Sequence, residues 1–243
     1  MKFLSYFLSF IFGLTFLLLT LIFDPLQRIA LKLFGYKGHK VVLDFLNYLI
    51  TKSLILLGIR VKVINKQTLP KDTSIIFVSN HQSLFDIPPI VWAFRKYHPK
   101  FVSKKELGRG MPSVSFNLRH GGACLIDRND KEQAVKALND FGKRVNKNKW
   151  SAVIFPEGSR SRDGNPKRFA PTGLLTIMEH NPDAYIVPLS INNSWKIFKY
   201  GKFPLGIFSP MTILTHKPVK ISDMPQDDLL AAVEKTIKDA VTV

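Results

Sequence analysis

The stretch that decides the fold is residues 74–86, which read SIIFVSNHQSLFD. Its first half is apolar and rich in β-branched side chains, which predicts a buried strand. The polar run that follows predicts a loop, and α/β proteins place ligands in loops after the carboxyl ends of strands. Residues 151–162 have the same layout and read SAVIFPEGSRSR. We therefore expect two functional loops, each following a strand.

Outward from these loops, strand patterns alternate with helical ones. Strands are predicted at residues 74–79, 100–103, 123–126, 151–155 and 185–191. Apolar side chains recur at helical spacing from Ala134 to Val145 and from Leu229 to Val241. Alternating strands and helices predict an α/β layered domain, which we assign to residues 61–243.

Residues 1–60 are expected to anchor this domain to a membrane. No charged residue occurs from Phe3 to Phe23, and about 20 apolar residues are enough for a helix to cross a bilayer. A cleaved signal peptide is disfavoured, because the run is long and lacks a small-residue cleavage site. Cations are more frequent after this run than before it, which predicts that the catalytic domain faces the cytoplasm.

A second apolar segment covers residues 41–59. Its polar residues Asp44, Asn47 and Thr51 form one stripe at helical spacing. Such a helix could lie along the membrane interface or pack on the domain as a core helix. The periodicity leaves both alternatives open.

Composition limits the kind of protein. The 243 residues are 46% hydrophobic, which is enough for one full core. A formal net charge of +17 predicts an anionic partner, such as phospholipid, nucleic acid or a phosphorylated metabolite. Cys124 is the sole cysteine, which excludes a disulfide framework and a cysteine-rich metal site.

The first loop contains a candidate general base. Histidine accepts a proton near neutral pH, and a carboxylate can fix its tautomer, so His81 and Asp86 form a candidate pair. Their spacing requires His81 to precede a helix whose first turn carries Asp86, and Ser83 with Asp86 fits a capping box. The alternative is that Asp86 only caps the helix. Pro88 and Pro89 leave the start of that helix open.

Other kinds of catalytic site are disfavoured. The remaining histidines are scattered without the spacing of metal ligands. The sequence also has no Gly-x-Ser-x-Gly motif for a serine nucleophile. Direct attack by a substrate hydroxyl that His81 activates is the simpler chemistry.

The second loop contains candidate anion-binding residues. Gly158 permits close backbone approach, and Arg160 can bind a phosphate through two hydrogen bonds. Glu157 could order an arginine or bind a substrate hydroxyl. Cations are also concentrated between the two loops, at Lys104, Lys105, Arg109, Arg119 and Arg128. A solvated polar turn and a solvated basic face are the alternatives.

Five motifs in order resemble the glycerolipid acyltransferase family, which contains the 1-acylglycerol-3-phosphate acyltransferases. Asn80-His81 with Asp86 matches the family's Asn-His-x-x-x-x-Asp motif, and residues 155–161 match its Phe-Pro-Glu-Gly-Thr/Ser-Arg-Ser motif. Residues 104–107, 122–128 and 187–189 resemble three further motifs. The resemblance covers about residues 74–191, and the two apolar segments before it resemble the family's membrane-anchoring start.

The resemblance implies a fold, a reaction and a site. The fold would be a mixed sheet flanked by helices, preceded by a membrane-embedded two-helix segment. The reaction would be transfer of a fatty acyl group to the sn-2 hydroxyl of 1-acylglycerol-3-phosphate, giving phosphatidic acid. His81 would be the base and Asp86 would orient it. The acceptor phosphate would be bound by residues Lys105, Arg128, Glu157, Gly158 and Arg160, with Asn80, Ser159 and Pro188 in supporting positions.

The expected partners are a lipid bilayer, a lysophospholipid acceptor, and acyl-CoA or an acyl-carrier protein as donor. No metal or other cofactor is expected. Nucleic-acid binding is disfavoured because no motif for reading nucleic acid accompanies the cations. A non-enzymatic module that binds anionic membranes through its basic face is the rival from another class.

Two departures from the family pattern concern the acceptor. Many relatives have Phe-Lys-x-Gly where this chain has residues 169–173, FAPTG, which are one residue longer and lack the lysine. Ser115 stands where glycine is frequent. An acceptor without phosphate, such as a lyso-aminolipid, is therefore the alternative substrate.

Overall fold

An eight-stranded mixed sheet forms the centre of the protein, in a computed structural model that describes residues 2–243. The strands are β1 (Val61–Ile64), β2 (Ile75–Ser79), β3 (Pro99–Lys104), β4 (Cys124–Ile126), β5 (Ser151–Ile154), β6 (Tyr185–Asn192), β7 (Met211–Thr215) and β8 (Val219–Lys220). Strands β2 to β6 agree with the five predicted strands to within one residue at each end. The sequence patterns did not predict β1, β7 or β8.

The strand order is β1-β7-β6-β2-β5-β3-β4, and β8 pairs with β6. The strands β6, β2, β5, β3 and β4 run parallel to one another. The strands β7 and β8 run antiparallel to β6, and β1 is parallel to β7. The mixed sheet expected from the resemblance is therefore confirmed.

Helices cover both faces of the sheet: α1 (Lys2–Ser53), α2 (Ile87–Ala93), α3 (Val114–His120), α4 (Lys131–Asn148), α5 (Thr172–Glu179) and α6 (Gln226–Asp239). Alternating side chains of a strand point to opposite faces. On β2, Phe77 therefore joins the core under α1 and α2, whereas Ile76 and Val78 join the core under α4, α5 and α6. The apolar side chains on both faces of β2 are thus buried under helices.

The helix α1 is two arms joined at Gly35. This residue has φ 60° and ψ −153°, which are non-helical values that glycine adopts without a Cβ penalty. The second arm folds back on the first, because His39 Nε2 lies 3.2 Å from Gln27 Oε1 and the rings of Phe23 and Phe45 are 6.1 Å apart. The chain therefore begins with two packed helical arms, and the membrane-embedded two-helix segment stays a prediction.

The second arm of α1 decides between the two alternatives for residues 41–59. Leu46 and Ile50 are buried in the core shared with the sheet, and Asn47 is also buried, so the arm is a core helix. Val41 and Phe45 nevertheless remain exposed. The domain boundary at residue 60 stays a prediction, and Met1 lies outside the described residues.

The outer face of α1 is apolar along most of its length. Exposed side chains include Phe7, Phe10, Leu14, Leu18, Ile22, Ile29 and Leu33. Among residues 2–243, this helix is the one long and apolar enough to cross a membrane. These features make α1 the membrane-associated part of the chain.

The topology brings the predicted site residues to one edge of the sheet. Because β6, β2, β5, β3 and β4 are parallel, their carboxyl ends lie along the same edge, which we call the carboxyl edge. The loop after β2 begins with Asn80, and the loop after β5 begins with Phe155. Lys105 follows β3 directly, and one residue separates Arg128 from the end of β4.

Candidate active site

A histidine and a buried aspartate meet at the centre of the carboxyl edge. His81 Nδ1 lies 2.9 Å from Asp86 Oδ2. Asp86 is fully buried, whereas the His81 side chain is 17% exposed. The short 3₁₀ turn Leu84–Asp86 positions the pair, since it brings the carboxylate of Asp86 back to the histidine five residues earlier.

The carboxylate of Asp86 is saturated with donors. Its Oδ2 accepts from His81 Nδ1 and from the backbone N–H groups of Gln82 and Ser83, at 2.8 to 2.9 Å. Its Oδ1 accepts from Ser194 Oγ at 2.5 Å and from Ser83 Oγ at 3.4 Å. The predicted capping box is present, so Asp86 both caps the turn and contacts His81.

This geometry sets the tautomer of His81. Because Asp86 Oδ2 already accepts from two backbone N–H groups, it acts as an acceptor toward the ring, so in the neutral imidazole Nδ1 carries the proton and Nε2 keeps the lone pair. Within residues 2–243, Nε2 has no hydrogen-bond partner. The ring stacks on Phe155 at 4.1 Å between centroids and 14° between planes. The imidazole is therefore held in one orientation with its basic nitrogen free.

The backbone around His81 is held by buried amides. The Asn80 side chain donates to the Ile191 carbonyl at 2.8 Å and accepts from the Ile191 N–H at 2.7 Å. The Gln82 side chain donates to the Gly164 carbonyl at 3.1 Å and accepts from the Ser194 N–H at 3.0 Å. These bonds tie the first loop to β6 and to the second loop.

Glu157 is a structural link between the two loops. Its Oε1 accepts from the backbone N–H of His81 at 2.8 Å, and its Oε2 accepts from that of Lys167 at 3.1 Å. Burial raises the pKa of Glu157, and these two hydrogen bonds oppose the shift. The carboxylate thus pairs with backbone donors, and the suggested pairing with an arginine is not present among residues 2–243.

The second loop turns at Gly158 and presents its polar groups to solvent. Gly158 has φ +65°, and its N–H donates to the Phe155 carbonyl at 3.0 Å, so glycine is needed for the turn. Ser159 and Arg160 are exposed. The Lys167 ammonium donates to Ser159 Oγ and to the Arg160 carbonyl, both at 2.8 Å.

The predicted phosphate-binding cations lie to one side of His81. Lys105, Arg128 and Arg160 are exposed, and within residues 2–243 none forms a salt bridge. They follow the strands β3, β4 and β5, and β4 lies three strands from β2, or about 14 Å at ordinary strand spacing. The three cations therefore follow neighbouring strands at the carboxyl edge, and their role in binding a phosphate stays a prediction.

Two other residues bear on the site. Pro188 is buried on β6, paired with Val78 of β2, and its supporting role stays a prediction. Ser194 was missed by the sequence reasoning, although its hydroxyl binds Asp86. No local signal could have identified it, because 108 residues separate the two side chains. Among residues 2–243, no cluster of histidine, cysteine and carboxylate side chains has the arrangement of a metal site.

Comparisons with known proteins identify the family of the chain. The acyltransferase family model matches residues 60–192, which is more than half of the chain and includes both loops. A 1-acyl-sn-glycerol-3-phosphate acyltransferase of Saccharomyces cerevisiae is 28% identical over 194 residues, covering 74% of this chain and 58% of that protein. A Helicobacter pylori protein of the same name is 38% identical over 144 residues, covering 57% and 56%. The chain thus matches less than two thirds of the length of these relatives.

A solved structure shows the same fold. The crystal structure of the 1-acyl-sn-glycerophosphate (LPA) acyltransferase PlsC from Thermotoga maritima superposes with a TM-score of 0.74. It covers 98% of this chain and 93% of its own, at 22% identity. The fold, including the long N-terminal helix, is therefore shared. With the family match over both loops, the chain belongs to the acyltransferase family.

Proposed function

We propose that this protein transfers a fatty acyl group from a thioester donor to the sn-2 hydroxyl of 1-acylglycerol-3-phosphate, giving phosphatidic acid. The observation that carries the proposal is the free Nε2 of His81, which Asp86 orients beside a row of unpaired cations. That arrangement combines a base for a hydroxyl with a binding site for a phosphate.

The chemistry follows from the tautomer of His81. Nε2 removes the proton from the acceptor hydroxyl while its oxygen attacks the carbonyl carbon of the thioester. The resulting oxyanion is stabilised by backbone N–H groups, and its collapse breaks the carbon–sulfur bond. The departing thiolate takes the proton from Nε2. Asp86 stabilises the imidazolium that exists between the two proton transfers.

The cations support a phosphate-bearing acceptor. Arg160 can form two parallel hydrogen bonds with a phosphate, and Lys105 and Arg128 add positive charge at the same edge. Lys167 brings a further ammonium to the turn at Ser159. The named relatives, which are 1-acyl-sn-glycerol-3-phosphate acyltransferases, point to the same acceptor.

A lyso-aminolipid is the second candidate acceptor. The observation that favours it is the changed segment 169–173, which lies against the second loop because the Ala170 N–H donates to the Pro156 carbonyl at 2.8 Å. If the acceptor lacks a phosphate, Arg128 and Arg160 should contribute little to its binding.

The donor in our proposal is acyl-CoA or an acyl-carrier protein. Both present the same thioester to the attacking hydroxyl, and the chemistry of His81 does not distinguish them. The reaction as written needs no metal or redox cofactor.

We propose that α1 lies in one leaflet of the bilayer. Its first arm contacts the α/β domain along its length, since Ser9 binds the Leu205 N–H, Phe12 packs on Phe85, and Gln27 binds Ser113. A helix held in this way cannot cross the hydrocarbon region without carrying irregular backbone into it. The cation bias after residue 23 supports a location of the domain on the cytoplasmic face.

The test is an acyl-transfer assay. Membranes that contain the protein are incubated with 1-acylglycerol-3-phosphate and acyl-CoA or acyl-carrier protein, and the diacylated product is quantified by mass spectrometry. Matched membranes without the protein are the control. Product with either donor is expected. If neither donor gives product but a lyso-aminolipid is acylated, the acceptor assignment is wrong and the reaction class stands.

A further inference from the structure

The loop between β6 and β7, residues 193–210, has an exposed aromatic and cationic surface. We call it the β6–β7 loop. Tyr200, Phe203 and Phe208 are 43%, 55% and 56% exposed. Lys199 and Lys202 alternate with them and are also exposed. Aromatic side chains of this size are normally buried unless they serve an interface.

The charged side chains of the β6–β7 loop and of the segments around it are all cationic. The sequence has no acidic residue between Asp183 and Asp223, and the β6–β7 loop itself contains Lys196, Lys199 and Lys202. Cations next to exposed aromatic rings are typical of proteins at the boundary between lipid headgroups and acyl chains. The surface is therefore complementary to an anionic bilayer.

The loop is continuous with the membrane-associated face of α1. The rings of Tyr6 and Phe203 meet edge to face at 5.4 Å. The Leu205 N–H donates to Ser9 Oγ at 2.8 Å, and Ser5 Oγ donates to the Leu205 carbonyl. Because these contacts hold the loop against the first turns of α1, the exposed ring of Phe203 extends the apolar face of the helix.

The same loop is attached to the catalytic pair. At its beginning, Ser194 Oγ donates to Asp86 Oδ1 at 2.5 Å. Phe198 stacks on Phe85 at 5.9 Å and 7°, and Phe85 packs on Phe12 of α1 at 5.3 Å. Direct contacts therefore link the exposed aromatic surface to the residues that hold His81.

We propose that the β6–β7 loop is a second membrane-binding element, in which Phe203 and Phe208 enter the bilayer interface while Lys199 and Lys202 bind anionic phospholipid headgroups. Together with α1 it fixes the height of His81 relative to the bilayer. This inference goes beyond the proposed function, because it holds for any lysolipid acceptor and needs no turnover.

Depth measurement tests the proposal on the full-length protein. Phe203→Cys is labelled with an environment-sensitive fluorophore and reconstituted into vesicles of phosphatidylcholine and phosphatidylglycerol that contain spin-labelled lipid. The native Cys124 is 1% exposed, and burial raises its pKa to about 12, so it stays unlabelled. Lys147→Cys, on the exposed side of α4 beyond the opposite face of the sheet, is the matched control.

At position 203 we expect the fluorescence emission of the label to shift to the blue and to be quenched by the spin-labelled lipid. Neither change is expected at position 147. Absence of quenching at position 203 in a vesicle-bound protein would overturn the proposal and leave a protein partner as the occupant of this surface. The acyl-transfer assay is not used, so this outcome is independent of the proposed function.

A charge series tests the lipid class. Lys199→Gln combined with Lys202→Gln, in the labelled and reconstituted protein, should lower the quenching at position 203 in the anionic mixture toward its level in phosphatidylcholine alone. Lys143→Gln combined with Lys147→Gln, on α4, should leave it unchanged. Equal quenching in phosphatidylcholine alone and in the anionic mixture would contradict the headgroup contacts.

Discussion

The two loops that follow the neighbouring strands β2 and β5 hold their charged groups in opposite ways. In the first, Asp86 is fully buried, accepts five hydrogen bonds and fixes His81. In the second, Arg160 is exposed and forms no salt bridge within residues 2–243. Glu157 joins the two loops through the His81 N–H.

The difference matches the two tasks that we propose for the site. Proton transfer requires one fixed geometry, and a buried carboxylate is tolerated only when its oxygens are satisfied. Phosphate binding instead uses solvated cations that release water when the ligand arrives and need no fixed partner beforehand. Substitutions in the first loop should therefore lower the rate, whereas those in the second should weaken acceptor binding.

The largest effect is expected for Asp86→Asn. The amide cannot accept all the hydrogen bonds that the carboxylate accepts, and it no longer holds the tautomer of His81 with Nε2 free. We expect kcat to fall about 10²- to 10⁴-fold, measured as initial rates of diacylated product. Asp228→Asn, on the exposed face of α6, is the control. A loss confined to KM would contradict the assignment of Asp86 to proton transfer.

A smaller effect on rate and a clear effect on stability are expected for Asn80→Ala. The substitution leaves the Ile191 N–H and carbonyl without their amide partner. We expect about 2 to 4 kcal/mol less free energy of unfolding, with a lower kcat because His81 is the next residue. Thermal unfolding and initial rates measure both. Unchanged stability would show that the amide does not hold the first loop.

In the second loop, Arg160→Ala should raise KM about 10- to 100-fold for phosphate-bearing acceptors, as expected for the loss of charged hydrogen bonds. Arg128→Ala should act in the same direction, and neither should affect acceptors without phosphate. Saturation kinetics with matched acceptors measure the effect, with Lys143→Ala as the control. A similar KM change for both classes of acceptor would remove these arginines from phosphate recognition.

The smallest effect is expected for stability, and it separates Lys100, within β3, from Lys105, directly after β3. Lys105 follows β3 and is exposed, whereas Lys100 within β3 is buried, with its ammonium 4.7 and 4.9 Å from the ring centroids of Tyr36 and Trp150. Burial lowers the pKa of Lys100 to about 7 from 10.5. The folded protein therefore binds fewer protons than the unfolded chain between these values, so stability rises with pH across this range.

Lys100→Met should remove that pH dependence and raise the free energy of unfolding at pH 7 by on the order of 1 to 2 kcal/mol, after loss of the cation–π contacts. Thermal unfolding from pH 7 to pH 10 measures both the pH dependence and the free energy of unfolding. Lys105→Met should change neither of them. A pH slope that persists in Lys100→Met would assign it to another group.

Much of this architecture could be predicted because its signals are local. The runs before Asn80 and Phe155 are short, apolar and β-branched, so the strands β2 and β5 were placed to within one residue. The capping box at Ser83 and Asp86 is also a local pattern, and it is present.

The rest depends on contacts between distant segments. Ser194 reaches Asp86 because β6 lies beside β2, and that adjacency is a property of the sheet topology. The role of Glu157 depends on which backbone donors surround it after folding. The strands β1 and β7 were missed, and they pair with each other across 150 residues at Val61 and Met211. No short-range pattern encodes such pairings.

The most direct test of the account is the amount of diacylated product formed by wild type and by His81→Ala in matched membranes, measured by mass spectrometry with 1-acylglycerol-3-phosphate and a thioester donor. We expect abundant product from wild type and about 10²- to 10⁴-fold less from the variant at equal protein level. Near-normal turnover by His81→Ala would contradict the role of His81 as the general base.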